Sequence, residues 1–137
     1  MRNLRPILLV EDDLVDVMAV KRALADLKVQ NELVHVNNGE EAVAYLRNNA
    51  NERPCIVLLD LNMPRMNGAE LLRIMKNDEI LRSIPVIVLT TSKTERDINA
   101  SFAMSAAGYM VKPVDYTDFL ELIKTINSYW SLNQLPA

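Results

Sequence analysis

Ile56-Val57-Leu58-Leu59 runs without a polar interruption into Asp60. A short apolar run closed by turn residues reads as a strand buried on both faces. Such strands belong to parallel sheets covered by helices on both sides. The loop that follows then leaves the carboxyl end of a central strand, where open α/β sheets hold their sites. Asp60 stands at that edge. It reads equally as a functional carboxylate or as an aspartate that caps or solvates the next turn.

Ile7-Leu8-Leu9-Val10 repeats the pattern and also ends in acid, at Glu11-Asp12-Asp13. Val17, Val20, Leu24 and Leu27 then recur at helical spacing. Glu32-Leu33-Val34-His35-Val36 is a partly alternating strand, and Asn38 with Glu41 three positions later opens a helix to about Asn48. After the polar stretch 49–54 and the strand ending at Asp60, Asn67 and Glu70 repeat the cap, with Gly68, Leu71, Leu72 and Met75 as the packed face. Pro85-Val86-Ile87-Val88-Leu89 is a fourth strand that ends in Thr90-Thr91-Ser92. The helix after Thr94 carries Ile98 and Phe102 among Ala, Ser, Asn and charge, which predicts the least firmly packed helix. Tyr109-Met110-Val111 is a short fifth strand ending at Lys112-Pro113. The last helix has Asp115 as N-cap, Asp118 at its third position and Val114 placed to staple Phe119. Phe119, Leu122, Ile123 and Ile126 form its buried face, and Tyr129, Trp130, Leu132 and Leu135 lie beyond it. Five βα units with short connections predict an α/β protein with a doubly wound parallel sheet and right-handed crossovers.

At 137 residues the chain is sized for one domain, with a core over 6–130 and a C-terminal tail over 131–137. A net charge of −3 and the lack of a basic run argue against nucleic-acid binding. No apolar run reaches membrane-spanning length, and no signal-peptide core precedes the first strand, so no membrane partner and a cytoplasmic location are expected. Cys55 is the single cysteine and reads as a small packed hydrophobe. His35, the single histidine, has no soft ligand near it in sequence and does not read as a metal or catalytic group.

All carboxyl edges of a parallel sheet lie on one side. Glu11, Asp12, Asp60, Thr90 and Lys112 each sit at or just past such an edge, on four different strands. If those strands are neighbours, the side chains converge. Two carboxylates about 4 Å apart repel by about 4 kcal/mol at an effective dielectric near 20. Three crowded acids therefore call for a cation, and hard oxygen ligands suit Mg²⁺. An aspartate beside Mg²⁺, an ammonium and a hydroxyl is suited to accept a phosphoryl group as nucleophile, its charge offset by the other three. No phosphate-cradling glycine loop appears, so neither a bound nucleotide nor a flavin is implied. Each residue alone has an ordinary role as cap, strand end or solvated charge; five at one sheet edge in this order are far harder to reach by accident.

With these motifs the chain resembles the receiver domains of two-component response regulators, over Pro6 to about Trp130. The resemblance implies a (βα)5 flavodoxin-like fold with strand order 2-1-3-4-5. Glu11-Asp12 matches the acidic pair, with Asp12 in the metal-ligand position. Asp60 matches the phosphorylated aspartate, and Asn62 the residue whose backbone carbonyl binds the metal. Met63-Pro64 and Gly68 match features of the following loop. Thr90 matches the switch hydroxyl, Tyr109 the aromatic switch residue, and Lys112-Pro113 the lysine and its proline, whose peptide bond is cis in the family. Ser105 stands where receivers often carry glycine, and Gly108 is a later candidate for that helix stop. Val10 to Asp13, Ser83-Ile84-Pro85, Leu89 to Ser92, and Lys112 to Asp115 are similar to the small regulators paired with phytochrome-type histidine kinases.

The resemblance implies a phosphoryl acceptor rather than a turnover enzyme, served by a sensor histidine kinase and signalling to a downstream protein that the sequence does not name. On phosphorylation Thr90 moves toward the phosphoryl group and Tyr109 turns inward. The family's dimer face, built from the fourth helix, fifth strand and fifth helix, is extended by Tyr129, Trp130, Leu132 and Leu135. A homodimer involving Trp130 is therefore expected, the alternative being a tail folded over the protein's own sheet. Rival functions are a pseudo-receiver that binds partners without carrying phosphate, and a flavin or metal-hydrolase domain on the same fold.

Overall fold

A computed structural model describes residues 4–63 and 66–132, the side chain of Leu132 excepted. Five strands, β1 (Ile7–Val10), β2 (Leu33–Val36), β3 (Ile56–Leu59), β4 (Val86–Thr90) and β5 (Gly108–Val111), alternate with five helices. These are α1 (Leu14–Asp26), α2 (Gly39–Arg47), α3 (Gly68–Lys76), α4 (Glu95–Ala103) and α5 (Tyr116–Leu132). A 3₁₀ turn, Leu81–Ser83, precedes β4. All strand pairs are parallel and the order is β2-β1-β3-β4-β5, as the resemblance implied.

The apolar runs make the three inner strands because both of their faces are covered. β1, β3 and β4 are buried at every residue. Leu8, Val10, Val57, Leu59, Val86 and Val88 point to one side, against Ala42 of α2 and Leu71, Leu72 and Met75 of α3. Ile7, Leu9, Ile56, Leu58, Ile87 and Leu89 point to the other, against Val17, Val20 and Leu24 of α1 and Phe119, Ile123, Ile126 and Trp130 of α5. Each such side chain, fully buried, contributes roughly 1.5–3 kcal/mol.

The helix starts follow the cap residues. Asp13 accepts from the Val15 amide at 2.9 Å, Asn38 from Glu41 at 2.9 Å, and Asn67 from Glu70 at 3.0 Å. Thr94 accepts from Asp97 and Asp115 from Thr117. Each satisfies an amide that the first helical turn leaves unpaired. α4 buries only Ser101 and leaves Phe102 half exposed, so it is the loosely packed helix its composition predicts.

Four expectations require correction. Trp130 is only 3 % exposed. It continues the stripe Phe119, Ile123, Ile126 at helical spacing, and the 17-residue α5 is long enough to keep that stripe on the sheet and α1 for a further turn. The tail thus covers the protein's own core through Trp130, and only Tyr129 of the described pair stays near half exposed; the Leu132 side chain and Leu135 lie outside the described residues. Val114 is fully exposed and does not staple Phe119. The stop of α4 is Ser105 itself, at φ 65°, not Gly108, whose φ is not positive. The Lys112-Pro113 peptide is trans, as is every described peptide bond.

Candidate functional site: an acidic pocket at the sheet edge

β1 and β3 are adjacent and in register, Val10 opposite Leu59, so the residues that follow them meet. The Asp60 amide donates to the Val10 carbonyl at 3.1 Å, and the Glu11 amide to the Val36 carbonyl at 3.1 Å. These bonds extend the ladder one residue past each strand and set both carboxylates at the same edge. The carboxylates of Glu11, Asp12 and Asp60 offer oxygen atoms that all lie within 4.8 Å of one another. Glu11 and Asp60 are buried and Asp12 is exposed, so the cluster opens to solvent on the Asp12 side.

Lys112 reaches this cluster from β5. Its amide donates to the Thr90 carbonyl at 2.8 Å, which fixes its backbone, and its side chain is 7 % exposed. The ammonium donates to Glu11 and to Asp16 Oδ2 at 2.8 Å, with Asp60 Oδ2 at 3.5 Å. Burial is the largest influence on the Glu11 carboxyl and raises its pKa from 4.5 to about 7. Lys112 pulls it down and the neighbouring Asp60 pushes it further up. Burial depresses the Lys112 pKa, but the hydrogen bonds to Asp16 and Glu11 and the Asp60 charge outweigh it, so the ammonium is held charged well above its ordinary range.

Thr90 closes β4 fully buried, and its hydroxyl oxygen accepts weakly from the Ser92 amide at 3.4 Å. Ser92 then ties the loop together. Its hydroxyl donates to Asp97 of α4, and its carbonyl accepts from the Tyr109 hydroxyl at 2.9 Å. Asn62 is exposed next to Asp60, and its amide donates to Asp60 Oδ1 at 3.3 Å. Met63 is buried; Pro64 lies outside the described residues.

The residue types suit a hard divalent cation. Three carboxylates converge on one opening, and burial with crowding makes Glu11 resist ionisation. Lys112 is the only cation paired with them among the described residues. Both features are relieved by a dication held on oxygen ligands.

Two residues join the site that the sequence reading did not place there. His35 Nε2 lies 2.7 Å from the Glu11 carbonyl oxygen, so it carries the proton and donates, pinning the acidic loop. Asp16 contacts Lys112 directly. The signal available for Asp16 was its place at the third position of a helix capped by Asp13, which ordinarily means a capping role.

The sequence matches the response regulator receiver domain family over residues 7–124. Response regulator Rcp1 of Synechocystis sp. is 36% identical over 128 residues, covering 90% of this chain and 87% of its own. The probable methanogenesis regulatory protein FilR2 of Methanothrix harundinacea is 35% identical over 127 residues, covering 90% and 82%. Among solved structures, the phosphorylated cyanobacterial phytochrome response regulator RcpA superposes with a TM-score of 0.91 at 39% identity, over 98% of this chain and 100% of that one. The Mn²⁺-bound form of Rcp1 superposes at 0.89 with 36% identity, over 97% and 99%. This chain belongs to the response regulator receiver domain family. It is a two-component signalling domain with the flavodoxin-like fold and an acidic pocket formed by Glu11, Asp12 and Asp60. No helix among the described residues is long and apolar enough to cross a membrane.

Proposed function

We propose that Asp60 accepts a phosphoryl group from a sensor histidine kinase and that the change of charge is read by a partner protein. The observation that carries this reading is the convergence of Glu11, Asp12, Asp60 and Lys112 at one sheet edge. The Asp60 carboxylate oxygen attacks phosphorus, an acyl phosphate forms, and the bond from phosphorus to the donor imidazole nitrogen breaks. Lys112 supplies an ammonium within reach of the transferred oxygens, and the buried Thr90 supplies a hydroxyl donor for them.

Glu11, Asp12 and Asp60, with the Asn62 carbonyl, are the groups that would hold Mg²⁺. When bound, the ion neutralises charge on the transferred oxygens. This chain's residues do the rest. Asp12 keeps the cluster open to solvent and donor, His35 fixes the Glu11 backbone, and Lys112 balances the remaining charge.

Output runs through Thr90, Ser92 and Tyr109 to α4. A pull on the Thr90 hydroxyl reaches Ser92, whose other bonds hold Asp97 and Tyr109. α4 is the least buried helix and can answer a small force. The α4–β5–α5 face, with Phe102 and Val111 exposed, is the surface we assign to the downstream protein or to a second copy of this chain. A phytochrome-type kinase in the cytoplasm is the donor we favour, because RcpA, a phytochrome response regulator, superposes over 98% of this chain at 39% identity.

Intact-mass analysis after incubation with Mg²⁺ and acetyl phosphate tests the assignment. Wild type should gain one phosphoryl mass and Asp60→Asn none. Equal labelling of Asp60→Asn, or no labelling of wild type by acetyl phosphate and by kinase alike, would overturn it.

A further inference from the structure

Lys112 has a nearer carboxylate than the one it is meant to serve. Its ammonium lies 2.8 Å from Asp16 Oδ2 and 3.5 Å from Asp60 Oδ2. We infer that Asp16 is a positioning residue: it holds Lys112 in a resting place off Asp60, and Lys112 gives up this partner when it engages a phosphoryl group there. The inference rests on the reading of Asp60 as acceptor.

Asp16 is the third residue of α1, where an acidic side chain ordinarily turns back to the amide of the capping residue. It does not do so here. The Asp13 amide donates to Glu11 Oε2 at 3.3 Å, so the Asp16 carboxylate is released from the helix end and directed at Lys112. Nor does it belong to the group of carboxylates that could hold a metal, which is Glu11, Asp12 and Asp60. Its described partner is the lysine.

The geometry makes the exchange discrete. The Lys112 backbone is tied to the Thr90 carbonyl, so its ammonium moves by side-chain torsion alone. That ammonium carries three protons. Two are committed to Glu11 and Asp16, while Asp60 at 3.5 Å lies beyond good hydrogen-bond length. To bond an oxygen on Asp60 the ammonium must shift, and Asp16 resists that shift. With side chains 7 % and 33 % exposed, the pair is shielded enough for its attraction to exceed that of a surface ion pair.

Two effects of opposite sign follow, and together they distinguish this role from a structural one. Removing the Asp16 charge frees Lys112 to lean on Glu11 and Asp60 and also makes the pocket less negative. Both effects weaken dication binding to the unphosphorylated protein. Once the dication is saturating, the freed ammonium instead binds a phosphoryl mimic on Asp60 more tightly.

The test compares wild type, Asp16→Asn and Asp16→Glu by NMR titration, first with Mg²⁺ alone, then with beryllium fluoride at saturating Mg²⁺, alongside thermal unfolding. Asp16→Asn should weaken Mg²⁺ by about three- to tenfold and tighten beryllium fluoride by about threefold, from loss of one close charge. Asp16→Glu, which restores the charge, should return both toward wild type. If Asp16→Asn lowers the unfolding temperature but leaves both affinities unchanged, or shifts both the same way, Asp16 only supports the helix and the inference is wrong. Wild type that binds neither Mg²⁺ nor beryllium fluoride would instead defeat the acceptor reading, and this inference with it.

Discussion

The Tyr109 hydroxyl donates to the Ser92 carbonyl at 2.9 Å, joining β5 to the loop that follows Thr90. The ring is half-buried against the core, and this bond ties its hydroxyl to the loop. Tyr109→Phe keeps the ring and loses the donor. Expected outcomes are a loss of about 1 kcal/mol in stability, faster amide exchange in residues 91–97, and unchanged uptake of phosphoryl by Asp60. Hydrogen-exchange mass spectrometry with intact-mass labelling measures the last two. Unchanged exchange in that loop would separate Tyr109 from the switch.

Gly68 begins α3 directly beneath the site. A Cβ built there lies 2.6 Å from the Asp60 carbonyl oxygen and 2.8 Å from the Leu61 Cα. Both are backbone atoms, so neither can swing aside. Gly68→Ala should therefore cost roughly 1–3 kcal/mol as overpacking and displace Asp60 from the edge. Urea denaturation gives the first quantity. Labelling by acetyl phosphate, expected to slow well beyond the stability loss, gives the second.

The fold was legible because its evidence is local. Apolar runs such as Ile56 to Leu59 need cover on both faces, and Asn38, Asn67 and Asp115 announce their helices by side chains that bond within three residues. The convergence of Glu11, Asp12, Asp60 and Lys112 was legible for a related reason: strand ends in a parallel sheet share one edge. Asp16 was not, because its partner Lys112 lies far along the chain and its local pattern imitates a helix cap. Trp130 is buried, in keeping with its periodicity with Ile123 and Ile126 in the sequence. Aromatic bulk at the end of a helix reads as surface, whereas helix length decides how far a buried stripe extends. Val114 failed for the converse reason, since a staple needs the chain to enter along the helix flank and here the residue faces solvent.

Glu11 makes the metal-free protein sensitive to pH. Its pKa rises from 4.5 in the unfolded chain to about 7 in the native state, so the native protein holds this proton to higher pH. Between about pH 4.5 and 7 the native state binds more protons than the unfolded one, and stability falls as pH rises, by at most about 1.4 kcal/mol per pH unit for one proton. Lys112 adds no slope there, because its pKa is raised and the stability it contributes is lost only at far higher pH. In chelator, the unfolding temperature of wild type should decline from pH 5 to 7.5, and Glu11→Gln should flatten that decline. A profile that instead rises with pH through this window would mean that Glu11 is ionised throughout.

Ser105 carries the last prediction. It ends α4 with φ 65°, and the bonds around it form a paired helix stop: the Ser105 amide donates to Phe102 at 3.0 Å and the Ala106 amide to Ser101 at 3.0 Å. This is the arrangement that favours glycine, because a side chain in the left-handed region crowds the following carbonyl. Ser105 is exposed, so its hydroxyl has no buried contact to lose. Ser105→Gly should stabilise the protein by about 1 kcal/mol, with the looser unfolded chain returning a few tenths of that gain. Lys28 provides an internal comparison. It sits at φ 57° after α1, with the Lys28 amide donating to Ala25 and Val29 to Leu24, and Lys28→Gly should stabilise by a similar amount. The two helices differ in how firmly they are packed, so their dynamics should respond differently. Slower amide exchange along α4 is expected from Ser105→Gly, because that helix buries only Ser101 and depends on its ends. α1, which buries Val17, Val20, Ala23 and Leu24, should change little with Lys28→Gly. Denaturant unfolding of both variants with residue-resolved exchange is the measurement, and destabilisation by Ser105→Gly would mean that the serine side chain makes a contribution larger than its backbone strain.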